Sequence, residues 1–73
     1  MAGLTGISGR RAVAAFRRAG WELVRQKGSH AILKKRGKPS LVIPMHRTVA
    51  PFLLRSQLRR AGLTEEKFIS LLK

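Results

Sequence analysis

With 73 residues, the chain has room for one domain and a modest core. Its apolar content of 44% is that of a folded protein. Sixteen Lys and Arg against three Glu give a formal net charge of +13. That balance favours a polyanionic partner, with nucleic acid ahead of an anionic membrane surface or an acidic protein. The absence of Cys excludes disulfides, thiolate metal sites and a Cys nucleophile, and fits a reducing cytoplasm.

Residues 1–7 carry no periodic pattern and read as a frayed start. Ser8 is a candidate N-cap for a helix running to about Ala19 and stopped by Gly20. Ala12, Val13, Phe16 and Ala19 fall on one side at helical spacing, and Arg10, Arg11, Arg17 and Arg18 on the other. The stretch is Arg-bearing and acid-free like a transit peptide, but its pattern assigns it to the fold. Residues 21–27 read as a strand, with Trp21 a core anchor rather than a stacking platform.

Gly28 and Ser29 mark a turn, and residues 30–36 read as a second strand. Gly37, Lys38 and Pro39 supply the next turn, and residues 40–43 a third strand ended by Pro44. Residues 45–50 form a loop bearing His46 and Arg47. Pro51 suits a helix first turn, Leu54, Leu58 and Ala61 follow at helical spacing, and Gly62 ends the run. Thr64 caps a last short helix with Glu65 and Glu66 in its first turn and Phe68, Ile69 and Leu72 on its apolar face. The order predicts an α+β fold: α-β-β-β-α, a three-stranded antiparallel sheet with helices on one face and an extra short C-terminal helix. This order resembles the double-stranded-RNA-binding fold.

Three glutamates, two of them adjacent, cannot converge as a two-metal nuclease requires, and no metal or cofactor is expected. No phosphate-cradling Gly-rich loop is present, and Glu22 lacks a partner for glycosidase chemistry. Two histidines remain. Histidine is the side chain whose ordinary pKa lies nearest neutrality, and RNA carries its own nucleophile in the 2′-hydroxyl. A His that removes that proton beside cations facing the phosphate could cleave RNA and leave a 2′,3′-cyclic phosphate and a 5′-hydroxyl. The run Lys27-Gly28-Ser29-His30 suits this chemistry. Gly28 keeps no phosphate at a distance, Ser29 can donate a hydrogen bond, and Arg25 and Lys27 supply charge. Lys34 and Lys35 are further candidate phosphate contacts. Taken alone the run is weak, since a lone His is more often a surface or core residue. A non-catalytic double-stranded-RNA binder, or a DNA regulator built on the last two helices, fits the same composition.

The stretch Ala19-Gly20-Trp21-Glu22-Leu23-Val24-Arg25-Gln26-Lys27-Gly28-Ser29-His30 resembles the centre of the HicA toxin family. Val42-Ile43-Pro44-Met45-His46 and the run from Leu54 to Leu63 resemble two later blocks of that family, in the same order. The resemblance implies an mRNA-cleaving toxin of a toxin-antitoxin system, with His30 as the catalytic residue and Gly28 and Ser29 as its preceding pair. It implies RNA and a HicB-like antitoxin as partners, a single domain over residues 1–73, and His46 as a second site residue. The chain departs from the pattern at Ala31, where many members carry a second His. Ala50-Pro51-Phe52-Leu53-Leu54 also lacks the Gly-Thr pair found before the second long helix. Arg10 and Arg11 are additions of this chain and are assigned to RNA or antitoxin contacts.

Overall fold

The computed structural model describes residues 3–72. Helix α1 (Gly9–Arg18) precedes β1 (Glu22–Lys27), β2 (His30–Lys34) and β3 (Leu41–Pro44), followed by α2 (Pro51–Ala61) and α3 (Glu65–Ser70). The strands form one antiparallel sheet in the order β1-β2-β3. The α-β-β-β-α layout with an added helix is the one the sequence predicts, displaced at strand ends by one or two residues. β3, for example, covers Leu41–Pro44 rather than residues 40–43.

The caps follow sequence chemistry. The Ser8 hydroxyl accepts from the Arg11 N–H at 3.1 Å, and the Thr64 hydroxyl from the Lys67 N–H at 3.1 Å. Pro51 stands in the first turn of α2, where a missing N–H leaves no intrahelical bond unmade. Glu65 and Glu66 sit at the positive end of α3.

One core lies between the sheet and the helices. Ala12, Val13, Ala15 and Phe16 of α1 meet Ala31 and Leu33 of β2, Leu41 and Ile43 of β3, Leu54 and Leu58 of α2, and Phe68 of α3. Phe16 is its aromatic centre, stacked edge-on to Trp21 at 6.4 Å and tilted against Phe68 at 5.0 Å. Trp21 is therefore a core anchor, as its position after a helix stop suggested. Residues 3–7 correct the expected frayed start. Leu4 and Ile7 are 1% and 2% exposed, and the Ile7 carbonyl accepts from the Val49 N–H at 2.8 Å. Two apolar residues with no period of their own are ordered because the core has room for them. Met1 and Ala2, also part of that expectation, lie outside the described residues.

The free edge of β3 is covered by α2. Gln57, buried in that helix, accepts the Val42 N–H at 3.0 Å through Oε1, so the outward N–H of the edge strand has a partner. Gln57→Leu keeps the volume and removes the acceptor. It should lower stability by about 1 kcal/mol, read as a lower urea midpoint at unchanged slope. An unchanged midpoint would show that water serves the Val42 N–H equally well. Among the described residues no helix is long and apolar enough to cross a membrane.

Candidate nucleic-acid interface

Register decides which side chains share a surface. Ala31 and Leu33 point into the core, so His30, Ile32 and Lys34 occupy the opposite, helix-free face of the sheet. Lys27 pairs with His30, Arg25 with Ile32 and Glu22 with Lys34, which puts all three β1 residues on that same open face. A bulge between Leu23 and Arg25 makes this possible: it absorbs Val24 as an extra residue, whereas regular alternation through Val24 would put Arg25 on the inward side with Leu23.

The turn beside His30 is a two-residue hairpin, Gly28-Ser29, with Gly28 at φ +59°, and among the described residues only glycines have positive φ. A left-handed first position is what a type II′ hairpin turn requires, and glycine takes it without strain. The turn is held at both ends. Gln26 Nε2 donates to the Gly28 carbonyl at 3.3 Å, and the Met45 N–H donates to the Ser29 carbonyl. His30 is exposed on this frame. Lys27 lies opposite it as the closing pair of the hairpin, with Cα atoms about 5.5 Å apart. Ile32 and the exposed Val42 continue the face beside them.

The other predicted site residues separate. Lys34 shares the face of His30 but lies four strand residues away, about 13 Å along β2. Lys35 is turned aside: its ammonium donates to the Ala19 carbonyl at 2.9 Å and serves the C-terminal end of α1. His46 follows β3 on the other side of the hairpin end. It borders a groove of about 460 Å³ lined by Ser8, Arg10, Gln26, Met45 and Arg47 together with His46. Gln26 pairs with Ala31, so this groove opens toward the helix side of the sheet and not toward the His30 face. Ala31, one of the positions at which the chain departs from the pattern it resembles, is fully buried, so a side chain there could not join His30 on the open face.

Sequence reasoning missed what places the groove. Gly9 begins α1 so close to the end of β3 that a Cβ there would stand 2.1 Å from the Pro44 carbonyl oxygen, and its N–H donates to the His46 carbonyl at 2.9 Å. A glycine directly after an N-cap serine is the only sequence signal for this approach. A second, larger groove of about 610 Å³ lies between β3 and α2, but Gln57 and Arg60 in its wall are already bonded to Val42 and Ser40. Among the described residues no three His, Cys, Asp or Glu side chains come together.

No curated protein and no solved structure matches the chain. The family model described as HicA toxin of bacterial toxin-antitoxin matches residues 9–63. That span starts at the glycine packed on β3, takes in the whole sheet with the Gly28-Ser29-His30 turn, and ends just after α2. With three quarters of its length so matched, the chain belongs to the HicA toxin family of bacterial toxin-antitoxin systems.

Proposed function

We propose that the protein is the toxin of such a pair and acts as an mRNA endoribonuclease in which His30 removes the ribose 2′-hydroxyl proton. The observation that carries this reading is the exposed His30 imidazole on an open sheet face, paired with Lys27, beside a turn whose first residue has no side chain. The freed 2′ oxygen attacks the adjacent phosphorus, the bond to the 5′ oxygen breaks, and that oxygen takes a proton from solvent admitted by the open face. Lys27 and Arg25 face the charge that builds on the phosphate oxygens, and the Ser29 hydroxyl is the neutral donor of the turn. Nothing in this sequence of steps calls for a metal. Residues 1–73 act as one toxin domain, located in the cytoplasm with its mRNA substrate. The family implies a HicB-type antitoxin, and a chain with charge +13 calls for an acidic contact surface that covers the His30 face.

The mechanism is tested with RNA and a matched oligonucleotide carrying 2′-deoxyribose throughout. The RNA should be cut to 2′,3′-cyclic phosphate and 5′-hydroxyl ends, with the rate unchanged by EDTA, and the deoxy strand should survive. Cleavage of the deoxy strand would rule out the 2′-hydroxyl as nucleophile. Binding of RNA without new ends would leave a non-catalytic RNA-binding module.

A further inference from the structure

Four of the cations are already engaged within the fold. Arg18 donates to the Leu71 carbonyl, Lys35 to the Ala19 carbonyl and Arg60 to the Ser40 carbonyl, while Arg55 pairs with Glu65. Among the described residues other cations are unpartnered on open surface, but the groove at the hairpin end gathers several around one concavity. Arg10, His46 and Arg47 are exposed around it, and none of the three has a side-chain hydrogen bond or ion pair among the described residues. No carboxylate lines it, and its remaining polar groups, Ser8 and Gln26, are neutral. Three cationic or protonatable side chains gathered around one concave space, with no internal counter-charge, repel one another unless an anion joins them.

One backbone bond ties this groove to the His30 turn, the Met45 N–H donating to the Ser29 carbonyl, and a second ties it to α1, the Gly9 N–H donating to the His46 carbonyl. Pro44 is the pairing partner of His30, and His46 follows it by two residues, at most about 7 Å of chain. A strand of RNA whose scissile phosphate lies on the His30 face, and which then rounds the hairpin end, would bring a nearby phosphate to the groove on the other side.

We infer that the Ser8–Arg10–Gln26–His46–Arg47 groove is a second phosphate subsite that holds the RNA backbone next to the scissile bond. The inference rests on the ribonuclease reading for its ligand, but its test does not use cleavage. The open end of the sheet leaves the strand a path from one face to the other, and both Arg side chains are long enough to follow it. The role of the subsite is to fix the register of the strand over His30, so its residues act on binding and touch no reacting atom.

The probe is a 2′-O-methyl RNA dodecamer, which has no free 2′-hydroxyl, titrated against the full chain at several salt concentrations and recovered intact afterwards. Arg10→Ala/Arg47→Ala should weaken binding at least tenfold. It should reduce the slope of log K against log salt by about 1.4, the value for two phosphate contacts on a single strand. The matched pair Arg17→Ala/Arg36→Ala removes the same charge from exposed positions away from the groove, and should weaken binding by less than threefold. His46→Gln should fall between the two. Equal losses for the two double variants would overturn the subsite and leave only diffuse attraction to a basic chain. A groove that serves an acidic protein surface alone would likewise leave the dodecamer's affinity and slope unchanged, and would also overturn it. Should the wild type fail to cut ordinary RNA while the Arg10/Arg47 variant still loses affinity selectively, the cleavage reading falls and the subsite stands.

Discussion

His30→Ala should lower the rate of RNA cleavage by about 10²–10⁴, the range spanned by general acid-base groups, and abolish growth arrest on expression. The fold should be untouched. His30 is exposed, has no side-chain hydrogen bond among the described residues, and begins a strand whose inward residues, Ala31 and Leu33, carry the packing. The Gly28-Ser29 turn is held by backbone and Gln26 contacts that do not pass through the imidazole. Thermal unfolding of the variant should therefore superimpose on the wild type within about 0.5 kcal/mol, the usual scatter of surface substitutions. The two measurements together isolate the chemistry: a slow variant that is also unstable would say nothing of mechanism. Cleavage that continues undiminished in a folded His30→Ala protein would remove this residue from the reaction. The mutant should still bind RNA and antitoxin, because the cations of the face and the groove remain.

Much of this was legible in the sequence because local chemistry and global fold agree. Ser8, Thr64, Pro51 and Gly62 mark helix ends by their own side chains or lack of them, and the structure uses each as marked. Phe16, Leu54, Leu58 and Phe68 are core residues by periodicity and are buried. What escaped depends on contacts between distant segments. Leu4 and Ile7 have no period, and only the cavity left by α1 and the loop before α2 explains their burial. Lys35 reads like its neighbour Lys34, but the strand ends between them, and one ammonium turns to the Ala19 carbonyl. The positions of Arg25 and Lys27 on the open face depend on the bulge at Val24, which no residue of β1 announces. His46 could be found by type but not by direction, because the packing of α1 on β3 decides where it points.

That packing makes Gly9 the position where the smallest substitution should do the most damage to the fold. A Cβ added there would sit 2.1 Å from the Pro44 oxygen, 2.7 Å from the Met45 Cα and 3.0 Å from the Pro44 carbonyl carbon. These are backbone atoms, so no side chain can rotate away. Either α1 lifts from the sheet or the end of β3 moves. Alanine normally favours a helix over glycine by up to about 1 kcal/mol, but this is the first helical residue, where that gain is smallest. The crowding cost of about 1–3 kcal/mol, together with loss of the bond from the Gly9 N–H to the His46 carbonyl, outweighs it. Gly9→Ala should be less stable by about 2–3 kcal/mol, which for a domain of this size lowers the melting temperature by roughly 10–20 °C. Because the strain falls on Pro44 and Met45, it also reaches the Ser29 carbonyl and the groove around His46. Below its melting point the variant should bind RNA less tightly although it loses no charged group, an effect that His30→Ala should not share. Calorimetry of the two variants side by side is the check. A Gly9→Ala protein that melts at or above the wild-type temperature would mean that the close approach of α1 to β3 is not what seats the hairpin end.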